Sequence, residues 1–207
     1  MPGSINDPWY LPAMPPTLIL VTGLPASGKT HLATRVARTF GLPLVSKDEY
    51  EETLHDHLPT LTQAQSRPLS FALMYRVAHV ILSAGGHAVM ETHFYRGVSE
   101  APILDLLTQT GADLLQVFCH APLEVILARH EARVALGQHP HLYRPWPALA
   151  ALPPHMCSEP LALQGPLLRV DTTVPGGEDR AAAWLRHHLP PARQALRSLP
   201  ARAWSDP

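Results

Sequence analysis

The chain predicts an α/β fold: a five-stranded parallel sheet with helices on both faces, three layers in all. Three observations point there. Five short apolar runs, at 17–22, 42–48, 87–92, 114–119 and 167–171, are each separated from the next by a helical pattern. Connections of that length are crossovers, which parallel pairing needs and hairpins do not. The first run passes through a glycine-containing loop, GLPASGKT at 23–30, straight into a helix.

Each element has its own signal. Thr17–Thr22 reads as a buried strand and Lys29–Phe40 as a helix closed by Gly41. LPLVSKD (42–48) is a second strand ending in polar residues, and the acidic stretch DEYEE opens a helix near Asp48. Apolar residues at 73, 74, 77, 80 and 81 predict a helix over 70–84, stopped by Gly85 and Gly86. HAVMET (87–92) is the third strand, 102–109 a helix, LLQVFC (114–119) the fourth strand and 123–136 a helix ended by Gly137. LLRVD (167–171) is the fifth strand, before a last helix from about 178 to 189. Between Gly137 and Gly165 no period persists and prolines abound, which predicts a cover or lid over about 134–165. The expected organisation is thus a Pro-rich leader (1–16), a domain over 17–189 and a tail (190–207).

Composition narrows the function. No uninterrupted apolar stretch approaches the roughly 20 residues that cross a bilayer. The first sixteen residues lack the basic start and apolar centre of a secretory signal, so a cytoplasmic protein is expected. Cys119 and Cys157 show neither metal-ligand nor redox-pair spacing and read as ordinary thiols. Sixteen basic against seventeen acidic residues give a net charge of −1, without the excess of a general nucleic-acid binder. Of the basic residues fourteen are arginines and two are lysines, Lys29 and Lys47. A lysine kept under such a bias suggests a place where a compact ammonium does what a planar guanidinium cannot.

Lys29 explains itself. Gly23, Gly28, Lys29 and Thr30 fit G-x-x-x-x-G-K-[ST] between a strand and a helix. The glycines let successive backbone N–H groups turn toward phosphate oxygens, and the helix N-terminus adds a favourable dipole. Gly23, Leu24, Pro25, Ala26, Ser27, Gly28, Lys29, Thr30 and His31 are therefore the expected nucleotide cradle. Lys29 bridges the outer phosphates, and Thr30 offers a hydroxyl to Mg²⁺, which keeps most of its waters. No Asn-Lys-x-Asp element for guanine is present, so ATP is the expected donor.

Phosphoryl transfer also needs a proton acceptor, carboxylates to order the metal, and cations to offset developing charge. Asp48, at the end of the second strand, stands at the carboxyl edge of the sheet, where ligands of such folds bind. It is the expected base, with helix N-capping as its structural alternative. Glu91 ends the third strand and is placed to hold a metal-bound water or a substrate hydroxyl; a strand-end ion pair is its alternative. Arg129 and Arg133 lie four apart on one helix face just before the cover, as lid arginines would. Glu131 lies two residues from each and points elsewhere, leaving Glu124 as their structural partner. Arg76 and Arg96 are candidates to reach substrate, with helix-surface and loop roles as equal explanations. Arg144 and His93 are weaker candidates.

GLPASGKT, VSKDEYEE, the VMETHF strand end, FCHAPLEVILARHEAR with GQHP, and LLRVDTT together resemble the bacterial P-loop (AAA-type) kinases akin to polynucleotide 5'-hydroxyl kinase and chloramphenicol phosphotransferase. The resemblance spans about 17–189. It implies a P-loop NTPase core like that of nucleoside monophosphate kinases, with a lid, and transfer of the terminal phosphoryl of ATP, with Mg²⁺, to a hydroxyl. By that likeness Asp48 is the base, Arg129 and Arg133 belong to the lid, and Asp171, Thr172 and Thr173 lie near the adenine. Because the fourth strand ends without an acid, a second metal-ordering carboxylate falls to Asp48 or Glu91.

A small hydroxyl-bearing acceptor, of nucleoside, sugar or antibiotic type, is the first reading. A polynucleotide 5'-end is less favoured by the near-zero charge. An ATP-binding regulator or adaptor that engages a protein partner is the reading outside catalysis. The acceptor and the oligomeric state stay open.

Overall fold

The computed structural model describes residues 14–137, 153, 155 and 158–189. The leader through residue 13, Arg144, Cys157, most of the expected cover and the tail from 190 lie outside the described residues.

Five strands, β1 (Thr17–Thr22), β2 (Leu44–Ser46), β3 (Ala88–Glu91), β4 (Asp113–His120) and β5 (Leu167–Asp171), form one sheet in the order β2-β3-β1-β4-β5. Every neighbouring pair is parallel. The helices are α1 (Lys29–Phe40), α2 (Lys47–His57), α3 (Gln63–Ser83), α4 (Glu100–Thr110), α5 (Leu123–Ala135) and α6 (Gly177–His188).

β1 shows why helices must cover both faces. Its six residues are all buried, and successive side chains point to opposite sides. Leu18 and Leu20 join Met74, Leu82 and Ile103 in one core, under α3 and α4. Ile19 and Val21 join Leu32, Val36, Ala181 and Leu185 in the other, under α1 and α6. α1 ends as its sequence requires, with Gly41 in the left-handed region (φ 64°) donating its N–H to the Arg38 carbonyl.

Beside the early end of β2, two elements differ from the sequence expectation. α3 begins at Gln63, seven residues before the helix expected over 70–84. The Thr62 N–H donates to Gln65 Oε1 at 3.0 Å, a capping interaction that starts the helix ahead of Pro68. The last residues of the expected cover are core: Leu161 and Leu163 are buried with the α3 and α4 cluster. The buried Gln116 side chain donates to the Leu163 carbonyl at 3.1 Å and so ties this segment to β4. Gly165 is required beside it, because a Cβ there would stand 2.9 Å from the Leu114 carbonyl oxygen.

Strand register levels the site. Val21 of β1 and Ser46 of β2 both pair with Glu91 of β3, so three carboxyl ends meet at one height beside the loop that follows β1.

Candidate functional site

The loop between β1 and α1 takes a shape that few residues allow. Gly23 (φ 153°), Ala26 (φ 63°) and Gly28 (φ 88°) alternate with ordinary backbone, the pattern that forms an anion-binding concavity of N–H groups. A Cβ on Gly23 would meet the Cys119 carbonyl oxygen at 2.3 Å, and one on Gly28 would crowd Thr172 at 3.2 Å. Ala26 is a buried non-glycine residue held in the left-handed region, strain of the kind that collects at ligand clamps. The Gly23 carbonyl accepts a hydrogen bond from His93 Nδ1 at 3.0 Å, so His93 holds the start of the loop.

Lys29 is 4% exposed, and its ammonium has two near neighbours: the Leu24 carbonyl at 3.4 Å and Glu91 Oε1 at 3.9 Å. Glu91 is 0% exposed and receives hydrogen bonds from Thr30 Oγ1 (3.1 Å) on Oε1 and from Ser46 Oγ (3.1 Å) on Oε2. Burial pushes its pKa above the usual carboxylate value. Lys29 opposes that shift, the Asp48 charge adds to it, and the Ser46 and Thr30 hydrogen bonds oppose it again.

Asp48 is not the strand end that the sequence suggests, nor the N-cap. β2 closes at Ser46, which occupies the N-cap position, and Asp48 is the second residue of α2. Its carboxylate is 37% exposed and lies 3.3 Å from Lys47 Nζ. Among the described residues no three His, Cys, Asp or Glu side chains converge as a metal cage. Thr30 Oγ1 and Glu91 are joined by a hydrogen bond at the end of the loop, an oxygen pair suited to a cation that keeps most of its waters.

A cavity of about 690 Å³ opens on the other side of Gly28, between α1, α5 and the loop from β5 to α6. Gly28, His31, Arg129, Arg133, Thr172 and Thr173 line it. Its volume falls in the range of small-molecule sites. Arg129 donates to Thr172 Oγ1 (3.0 Å) and to the Thr172 carbonyl (3.2 Å), while Thr172 Oγ1 reaches the Ser27 carbonyl at 2.8 Å. Asp171 Oδ1 accepts from the hydroxyl (2.6 Å) and backbone N–H (2.8 Å) of Thr173, which holds its carboxyl below the usual range and shapes the loop. His31 and Arg35 both reach Glu178, at 2.6 and 3.7 Å, and link α1 to α6 at the cavity wall.

The remaining candidates stand apart. Arg96 pairs with Glu159 (2.7 Å) and donates to the Pro160 carbonyl (3.0 Å), and Arg76 is exposed on α3. Ser46 is a contributor to which the motifs assign no role. Ser46 reaches Glu91 only because β2 pairs with β3, which no local pattern states.

A family model for the AAA domain matches residues 18–142. Among solved structures, one from Chloroflexus aurantiacus described as "a putative kinase" is 33% identical, with 86% of this chain and 100% of that one covered and a TM-score of 0.77. The Mycobacterium tuberculosis APS kinase CysC in complex with AMPPNP and APS shares the fold at 18% identity, covering 83% and 96% of the two chains, with a TM-score of 0.53. Chaetomium thermophilum Kti12 in complex with ADP-AlF3 does so at 16% identity over 84% and 100%, with a TM-score of 0.59. No curated protein matches the sequence. The fold is that of P-loop kinases, and no described helix is long and apolar enough to cross a membrane.

Proposed function

This chain belongs to the AAA domain family, and we propose that it is an ATP-dependent kinase that transfers the terminal phosphoryl group to a hydroxyl of a small molecule. The observation that carries the reading is the buried Lys29 ammonium at the mouth of the loop, facing a carboxylate that Thr30 and Ser46 hold in place. A covered cation with so little compensation is poised for a polyanion.

The residues fit ATP and Mg²⁺. The positive-φ loop, closed to any Cβ at Gly23, is a cradle for phosphate, and Thr30 with Glu91 supplies oxygen for the metal or its waters. Bound Mg²⁺ would neutralise charge on the outer phosphates. Lys29 offsets charge developing on the moving phosphoryl, and Arg129 and Arg133 face the nucleotide from α5. Asp48 accepts the proton of the acceptor hydroxyl as its oxygen bonds to phosphorus and the bond to the nucleoside diphosphate breaks. Thr172 and Thr173 border the adenosine.

The test is consumption of labelled ATP with Mg²⁺ against nucleosides, sugars, chloramphenicol, aminoglycosides and 5'-hydroxyl oligonucleotides. Acceptor-dependent consumption is expected, and Asp48→Asn should lower it about 10²–10⁴-fold with nucleotide uptake nearly unchanged. ATP use at one rate with and without every acceptor, or uptake indifferent to Lys29→Met, overturns the reading.

A further inference from the structure

The second lysine of the chain is buried, like the first. Lys47, the first residue of α2, is 7% exposed, at a depth where an unpaired ammonium would cost several kcal/mol. Glu51, one turn on and 1% exposed, meets it through Oε2. The Phe71 ring of α3 closes another side, its centroid 5.7 Å from Nζ.

Glu51 has support enough without a tie to Asp48. Its Oε1 accepts from Ser66 Oγ at 3.0 Å and lies 3.8 Å from Arg67 Nε, and Ser66 Oγ is 3.0 Å from His55 Nε2. Those contacts join α2 to α3. The remaining contact of Lys47 points the other way, to Asp48 Oδ1 at 3.3 Å. Among the described residues Lys47 is the only hydrogen-bond or ion-pair partner of Asp48. Neighbouring side chains on a helix diverge, so this contact exists because α3 and Glu51 fix the ammonium where Asp48 can reach it. The Asp48 charge also acts on Glu91, whose pKa it raises.

We propose that Lys47 is the positioning residue of the phosphotransfer site: anchored by Glu51 and Phe71, its ammonium holds the Asp48 carboxylate in the orientation that receives the acceptor's proton. The inference rests on the proposed role of Asp48. A compact ammonium meets both carboxylates from one point, whereas arginine presents its donors as a planar fork.

Two lysines make the test direct. In the full chain labelled with ¹⁵N at lysine Nζ, two ammonium resonances are expected, and Lys47→Met assigns them by removing one. Asp48→Asn should shift the Lys47 signal and leave that of Lys29, whereas ATP with Mg²⁺ should shift Lys29. Turnover is then read as phosphate released from ATP to water. Lys47→Met and Lys47→Arg should each lower kcat about 10–100-fold with the KM for ATP within about twofold. In an Asp48→Asn background Lys47→Met should add less than about twofold, because the group it positions is already gone. A Lys47 resonance indifferent to Asp48→Asn, an equal kcat loss in both backgrounds, or full activity of either Lys47 variant overturns the inference. Failure of the kinase reading appears separately, as a Lys29 resonance that ATP leaves in place.

Discussion

Thr172 joins three segments through one side chain. Its hydroxyl donates to the Ser27 carbonyl of the phosphate loop, accepts from Arg129 of α5, and its methyl packs on Gly28. Thr172→Val keeps the shape and deletes the donor. A net loss of about 1 kcal/mol is expected where one such bond orders a site, so ATP affinity by calorimetry should fall roughly 5–10-fold, and Thr172→Ser should restore most of it. An affinity unchanged by valine would mean that the Gly28 contact alone orders the loop. Cys119 is a residue-scale contrast: burial pushes its thiol up to about 12, so it stays protonated and unreactive, a packing residue beneath Gly23.

Among elements, the loop from β3 to α4 is held by its own helix. Glu100, the first residue of α4, accepts backbone N–H bonds from Gly97 (2.8 Å) and, across the fold, Ala162 (3.0 Å). Burial pushes its carboxyl up, but these bonds, with Arg96 nearby, outweigh that and leave it below its ordinary value. A depressed carboxylate contributes stability above its unfolded pKa and loses it as pH falls through the folded one. The Tm gap between the protein and Glu100→Gln should therefore be open at pH 7 and close as pH drops below about 4. A gap that stays constant from pH 7 to pH 3 would show that the carboxylate charge is not what holds the Ala162 segment. α3 makes a related point: its first turn forms before any apolar period because Thr62 and Gln65 cap it and buried Ser66 bonds Glu51.

At the scale of the molecule, the cavity is walled by α1, α5 and the β5–α6 loop, parts that the sheet brings together and a nucleotide would tie. Binding to the folded state alone stabilises by about 2.7 kcal/mol at a ligand concentration of 100 Kd. For a domain of this size that is a rise in Tm of roughly 5–10 °C. ATP with Mg²⁺ should produce it, and Lys29→Met should abolish it. A rise that survives Lys29→Met would place nucleotide binding away from the loop.

The sequence by itself determined the alternation of strands and helices, the boundaries of β1, α1 and β5, and the phosphate loop. Those features are written in neighbouring residues: apolar runs, a glycine stop at Gly41, a lysine between Gly28 and Thr30. Only the tertiary structure decided which strands adjoin, and with that the level at which Ser46 and Thr30 meet Glu91. It also drew Leu161 and Leu163 into the core and set the Lys47 ammonium against the Phe71 ring of α3. The physical reason is range: backbone propensity and periodicity act over a few residues, whereas burial, register and charge pairing join residues that the chain separates by tens of positions.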